Sequence, residues 1–522
     1  MIFSILFILW SIVSFLAYTI VESILARCLC CFSPLRISQL RNIKKNDAAT
    51  SRGKIAVIGS GIAGSGAAWA LSQDNFEVHV FESAGAVGGN AKTFVWPDGQ
   101  RTGLSVLAWP EEYFHNYQAL LSRLNIMHKN VKLGFHIRNA SGEDFVQGNM
   151  QSSPLWHKHK SSIQRWEWML YFVRSINKLF NCCPRRKSLY RMNMLNPLNL
   201  VPLRWLSIPF GVTRGCWDDI IVPMYASTFL TVKLDNIPAV ILPIISDIIP
   251  LTEPAVLRSW EQNSTFVFEA MLKDVKVHLN ESVVRVEQDT TTSLWTINQQ
   301  FEGFDRVVFA SNAKNVRECR HVLPNWLRMI FYNITYTLEE DDSMEVGHIH
   351  SDDSIFPYPS DNNMSLETKG DVTRESLCCS AANFIQSRVN STTGQIEYTN
   401  TFILSSWIPA LAGQRTLPRL VTYGGGDSIV PKKSKQFDKV HNYWNHPSLS
   451  PIILGVQYLL RYVQGRNGVF FCGSLATPGN GHDLSFCSGL AVAHAIGAKY
   501  PFADEKSQCK EDFHLLRKLM GL

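Results

Sequence analysis

Apolar and polar positions divide the chain into a few strongly patterned stretches. Met1 to Val21 is rich in Ile, Leu, Phe and Val and carries no charged side chain. It is long enough to cross a bilayer as one helix. It has neither a basic leader nor an Ala-x-Ala cleavage site, so a retained anchor is expected rather than a removed signal peptide. Lys54 to Ile58 is a short β-branched run, the pattern of a buried parallel strand, and Glu77 to Phe81 repeats it. Between them, the small residues of Ile62 to Ser72 predict a helix lying close to the strands. Glu111 to Leu124 predicts a helix with Phe114, Tyr117, Leu120, Leu121 and Leu124 on one face. Farther on, Ile163, Trp166, Leu170 and Val173 share a helical face, which Met169, Phe172, Ile176 and Leu179 widen. Ile237 to Pro250 is apolar but too short and too Pro-broken to span a membrane; it suits a substrate wall or a shallow membrane contact. Lys276 to Glu287 and Leu294 to Asn298 predict strands around a hairpin turn. Asp305 to Ser311 and Phe470 to Ser474 predict buried strands, and Leu484 to Ala498 a closing helix with Gly489 near its start.

Charge and cysteines place this pattern in a setting. A chain of 522 residues accommodates two or three domains. Its net charge of +6 is small for that length. Basic and aromatic residues interleave between His157 and Arg191, but no nucleic-acid module accompanies them, so no nucleic-acid partner is expected. A membrane-surface helix or an ordinary solvated basic edge remain as readings of that stretch. Arg27, Arg36, Arg41, Lys44 and Lys45 all follow the apolar N-terminal run, and no Lys or Arg precedes it. The positive-inside rule then expects a single-pass protein with its body in the cytoplasm. Cys28, Cys30 and Cys31 sit at the lipid boundary, as palmitoylation sites or as unmodified thiols. The 12 cysteines show neither a disulfide framework nor zinc-ligand spacing, so free thiols are expected. Six N-x-S/T sequons, including Asn139 and Asn390, are near the number chance provides.

The chemistry begins at KIAVIGSGIAG, Lys54 to Gly64. Gly59, Gly61 and Gly64 have the G-x-G-x-x-G spacing: a tight turn, room for a pyrophosphate, and close packing of helix on strand. Ile62 and Ala63 open the helix, whose N-terminal N–H groups offer a phosphate site. Glu82, at the end of the second strand, lies where a dinucleotide's ribose hydroxyls need an acceptor, and an acid there argues against a 2′-phosphate.

Glu82 is followed by Ala86-Val87-Gly88-Gly89-Asn90. This resembles the second glycine pair of FAD-binding flavoproteins, which packs against the same pyrophosphate. Together with GHIHSDDSIFP at 347–357 and VQGRNGVFFCGSLATPGNGHDLSFCSGLAVAHAIG at 463–497, these motifs resemble the flavin amine oxidase superfamily, which includes amine oxidases, phytoene desaturases and protoporphyrinogen oxidase. More narrowly, the chain is similar to FAD oxidoreductases associated with cyclopropane-fatty-acid synthases. Asn90 departs from the basic residue or His usual in that group, and His482-Asp483-Leu484-Ser485 from its His-Glu-Asp-Gly.

The resemblance implies an α/β fold: a Rossmann-like FAD domain of the two-dinucleotide-binding type, a second substrate domain, and the N-terminal membrane helix. The expected division is anchor 1–27, linker 28–53, FAD domain 54–130, 273–315 and 451–500, substrate domain 131–272 and 316–450, and tail 501–522. It implies that Val283 meets the adenine through its backbone, that Arg101 to Leu104 returns the chain toward the flavin, and that Gly473, Ser474 and Gly489 lie at the flavin ring. His482 is the candidate catalytic group, an acid/base near neutral pH or else a loop hydrogen-bonding residue. Asp483 is expected to be a helix N-cap rather than a catalyst, and Cys487 a small core residue. Trp444 and His446 line the pocket or pack in the core. The implied activity is oxidoreduction, with the flavin accepting a hydride from a hydrophobic, lipid-like substrate in desaturation or isomerisation of an acyl or isoprenoid chain. Oxidation of an amine or alcohol, and a flavin-bearing scaffold without catalysis, are the alternatives. No metal is expected.

Overall fold

The computed structural model describes residues 52–180, 188–189, 196–229, 234–261, 263–319, 346–351, 381–390, 392, 394–411, 419–424, 435–441, 449–479, 481–504 and 507–522. The anchor, its basic flank, the boundary cysteines, the pairs Cys182-Cys183 and Cys378-Cys379, and Trp444 and His446 lie outside the described residues. Among the described residues no helix is long and apolar enough to cross a membrane.

The buried runs assemble into a five-stranded parallel sheet in the order Val469–Phe471, Arg306–Phe309, Lys54–Ile58, Glu77–Phe81, Lys276–His278. Strands buried on both faces need continuous apolar sequence, and the central ones have it. Helices Ile62–Ser72 and His482–Ile496 pack against each other. Their approach is set by glycine: a Cβ on Gly489 would lie 2.1 Å from the Ala63 carbonyl oxygen, and one on Gly66 would lie 2.6 Å from the Phe486 ring.

A larger sheet carries the second core. It runs Lys435–His441, Val346–Ser351, Arg419–Tyr423, Ile396–Ile403, Ala381–Val389, His128–Arg138, Asp144–Val146, with Ala255–Trp260 paired to His128–Arg138. Helices and turns from Pro154 to Ile249 cover it with Trp166, Trp217, Met169 and Ile220, all fully buried. The first core holds Ile55 to Leu121, Trp260 to Cys319 and Ile453 to Met520 in three passes of the chain. Trp96, Leu104 and Leu107 join the second core, although they lie within the expected FAD-domain segment.

Four expected boundaries move. The run Lys276 to Glu287 is not one strand: Lys276–His278 edges the parallel sheet, the backbone turns at Asn280 with φ 57°, and Val286–Gln288 pairs with Trp295–Ile297 in a separate three-stranded meander. The helix expected from Glu111 begins at His115, after a turn that follows Pro110. The closing helix begins at His482 rather than Leu484. Residues 501–522 are more than a tail: helix Ser507–Leu519 buries Cys509, Phe513 and Leu516 in the first core. It is fastened there by Asp512, which accepts from Ser188 Oγ at 2.6 Å and pairs with His115 Nδ1 at 2.6 Å.

Candidate functional site

One cavity of about 550 Å³ runs from the carboxyl edge of the parallel sheet to the wall of the second core. Its first part is the glycine cradle: Gly59, Gly61, Ile62, Ala63, Glu82, Gly88, Gly89 and Asn90 line it, with Val283, Ala310 and Ser311 alongside. Gly59 has φ +100°, and a Cβ there would meet the Ala310 carbonyl oxygen at 2.9 Å. Gly64 is set back from the cavity, where a Cβ would lie 2.0 Å from the Gly59 carbonyl oxygen; it lets helix pack on loop. Gly61 is the open member, since its added Cβ would find nothing nearer than Gly89 Cα at 4.0 Å.

Glu82 is buried and holds two loops in place. One carboxylate oxygen accepts from the Ser60 N–H at 3.0 Å and from Ser60 Oγ at 2.6 Å; the other accepts from the Ala84 N–H at 2.9 Å. The second oxygen also accepts from Ser83 Oγ at 3.3 Å, so four donors fill the carboxylate, and a ribose hydroxyl would take the place of this longest one. Ser60 also takes the Gly88 N–H on its carbonyl oxygen at 3.3 Å, tying the first glycine loop to the second. Val283 stands beside this end, because the Glu281 N–H donates to the Glu82 carbonyl at 2.8 Å.

The other part of the cavity is apolar. Ile241, Ile244, Ile245, Ile248 and Ile249 line it, with Phe229, Leu257, Phe402 and Trp407. Helix Leu242–Ile248, from the Pro-broken Ile-rich stretch, and the residues that flank it supply the isoleucines of this wall. Trp407 turns its polar edge away, donating Nε1–H to Asn383 Oδ1 at 2.9 Å, so it presents only ring to the cavity. Among the described lining residues the carboxylates are Glu82 and Glu281, both at the cradle end.

Gly473, Ser474 and His482 also line the cavity. Gly473 has φ +87°, and its N–H donates to Ser488 Oγ at 2.8 Å. His482 is the first residue of its helix, packed edge-on against Tyr117 with centroids 4.8 Å apart. Its Nε2 is buried with no hydrogen-bond partner among the described residues. The residue as a whole is half-buried and lines the cavity. Burial without a compensating charge pushes its pKa down to about 3. The imidazole is therefore neutral at pH 7.

Two further expectations are corrected. Gly489 does not face the cavity; it sits in the helix crossing described above. Asp483 does not cap its own helix, whose N-cap is Gly481. It is fully buried and accepts the Tyr117 N–H at 2.6 Å, capping helix His115–Arg123, whose own N-cap residue, Phe114, makes no side-chain cap bond. Cys487 is buried in the first core. Arg101 to Gly103 form a strand, and the chain reaches the cavity just beyond it, at Ser105 to Ala108. Ser60, Ser311, Phe402 and Trp407 were not singled out from the sequence. Ser60 alone had a signal, its place between the motif glycines.

The residues fit an FAD. The cradle is open where Gly61 lacks a side chain, and Ser311 Oγ and His482 Nε2 are buried polar atoms, on residues that line the cavity, without partners among the described residues. Residues 57–124 match the family model of the NAD(P)-binding Rossmann-like domain. No curated protein matches the chain in sequence. Among solved structures, the chain is similar to cyclohexylamine oxidase from Brevibacterium oxydans IH-35A, with TM-score 0.58, 12% identity, and coverage of 85% of this chain and 98% of that one. It is similar to putrescine oxidase bound to putrescine, with TM-score 0.58, 12% identity and coverage of 86% and 99%. It is also similar to a CLA-producing fatty acid isomerase from P. acnes, with TM-score 0.55, 14% identity and coverage of 85% and 98%. The chain has the fold these proteins share, a Rossmann-like α/β domain joined to a substrate domain.

Proposed function

We propose that this protein is an FAD-dependent oxidoreductase of the amine-oxidase kind whose substrate is an elongated hydrophobic chain, and that it works at a membrane face with its body in the cytoplasm. The observation that carries this reading is the continuity of the cavity, with a dinucleotide cradle at one end and an isoleucine and aromatic wall at the other. Bound FAD supplies two-electron redox chemistry; the protein's part is to hold and orient both molecules. Gly61, Gly88, Gly89 and the N-terminus of helix Ile62–Ser72 would hold the pyrophosphate, and Glu82 a ribose. His482, kept neutral, offers one hydrogen bond in the cavity without adding charge. The apolar wall binds the chain and excludes water.

A desaturase or isomerase acting on an acyl or isoprenoid chain suits this wall better than an oxidase of cationic amines. An ammonium group buried among isoleucines without a carboxylate is strongly disfavoured, and the described lining residues place carboxylates only at the cradle. The membrane setting is supported by the uncharged run Met1 to Val21 and the basic residues that follow it. The test is anaerobic mixing of the purified, flavin-loaded protein with an unsaturated fatty acid, an isoprenoid or a primary amine. Bleaching by either lipid, or conversion of either lipid to an isomer with the flavin left oxidised, supports the reading. Bleaching by the amine alone refutes it.

A further inference from the structure

The long helix Pro154–Phe180 buries one side and leaves large apolar side chains on the other. Trp168 is 69% exposed, Tyr171 66% and Leu179 78%. Beside it, Trp205 is 72% exposed, and Leu200 and Ile208 are exposed as well. The two groups form one surface: Arg165 donates to the Gly211 carbonyl at 2.9 Å, and the Phe172 and Phe210 rings pack with centroids 5.4 Å apart. The segment carrying Trp205 and Ile208 therefore runs alongside the helix at the level of Trp168.

We propose that this surface docks on a membrane containing anionic lipid. Three observations favour a bilayer over a protein partner. Two tryptophans and a tyrosine among aliphatic side chains suit the boundary between headgroups and acyl chains. The helix has a single acid, Glu167, against five Lys and Arg. Lys158 and Arg174 are ion-paired, but Lys160, Arg165 and Lys178 are exposed with no carboxylate partner among the described residues, a cationic rim for anionic headgroups. The surface is also strapped to the apolar wall of the cavity. The Leu203 N–H donates to the Ile237 carbonyl at 2.7 Å, the Ala239 N–H to the Val201 carbonyl at 2.8 Å, and Asn177 Nδ2 to the Val240 carbonyl at 2.9 Å. Docking there sets the substrate wall beside the bilayer, a short path for a lipid chain. Residues 22–51, if extended, would reach on the order of 100 Å, so an anchor alone does not orient the body; this surface does. The docking face deepens the lipid-substrate reading but is tested without it.

The test uses the full chain in phosphatidylcholine vesicles with or without phosphatidylglycerol, and spin-labelled lipid as quencher of tryptophan emission. The wild type is compared with W168F/W205F, which keeps apolar rings and should unfold at the same temperature. Docking predicts that the double variant loses most of the lipid-quenchable emission, leaving that of Trp10. Quenching in the wild type should strengthen with phosphatidylglycerol and weaken with salt. Equal quenchable emission in the two proteins overturns the proposal. So does wild-type emission that lipid does not quench while cross-linking captures the face against a second protein. Because the readout needs neither flavin nor substrate, a failure of the lipid-substrate reading would leave this result standing.

Discussion

Gly61 and Gly89 approach each other in the cradle, where a Cβ on Gly89 would lie 2.9 Å from Gly61 Cα. A branched side chain at position 61 projects into the space a pyrophosphate needs. Gly61→Val should therefore give folded but colourless protein, checked by absorbance and by flavin released on denaturation. A yellow variant would remove the cradle assignment. His482 makes a second prediction, one of pH. Its pKa is depressed to about 3, well below the value near 6.5 of an unfolded histidine. Below pH 6.5 the unfolded chain binds a proton there that the folded chain refuses. Stability contributed by the neutral form is thus complete above about pH 6.5 and is lost as pH falls toward 3. His482→Asn should flatten the acid limb of stability against pH, measured by urea unfolding at several pH values. An unchanged limb would show that the ring does not titrate in that range.

At the scale of elements, the closing helix is positioned by two residues with roles other than those their sequence positions suggest. Gly489 lies under the Ala63 carbonyl, so Gly489→Ala must push two packed helices apart. A cost of about 1–3 kcal/mol or more is expected from such overpacking, read as a lower urea midpoint. Were the residue at the flavin ring instead, the midpoint of flavin-free protein would not move. Asp483 caps a helix remote in sequence, with its carboxylate 2.6 Å from the Tyr117 nitrogen. Asp483→Ala should cost about 0.5–2 kcal/mol, and Asp483→Asn, which keeps an acceptor, less. Equal losses in both would point to charge rather than the cap.

These two residues show where sequence reading stops. The strand, glycine, helix, strand, acid order around Gly59 and Glu82 was legible because its parts are local and each is forced by sterics or hydrogen bonding. The apolar wall at Ile241 to Ile249 was legible from composition. What Gly489 and Asp483 do depends on partners at Ala63 and Tyr117, hundreds of residues away, and no local pattern encodes a tertiary contact. The division of Lys276 to Glu287 between two sheets was hidden for the same reason: alternation persists through Asn280, while the turn there takes positive φ. The depressed pKa of His482 also required the fold, since burial is a property of the packed core.

At the scale of the whole molecule, the chain passes three times through the first core and between those passes builds the second. The cavity is lined from both cores, so its walls bring together residues as distant in sequence as Gly59 and His482. Helix Ser507–Leu519 closes the first core through Asp512 and His115. Burial opposes a charge on His115, and the Asp512 carboxylate outweighs it, holding the pKa above the usual histidine range. That contribution is complete below the unfolded pKa and fades as pH rises through the folded one. Asp512→Asn should therefore destabilise more in mildly acidic than in alkaline buffer, measured by thermal unfolding.

The measurement that bears most directly on the proposed function is the flavin absorbance of the purified full chain during anaerobic titration with an unsaturated fatty acid, an isoprenoid and an aliphatic amine in parallel. A cradle continuous with an uncharged apolar wall predicts a bound-flavin spectrum that one of the lipid chains bleaches by desaturation, or leaves oxidised while that lipid is converted to an isomer, and that the amine does not change. A protein that binds no flavin, or whose flavin responds only to the amine, would contradict it.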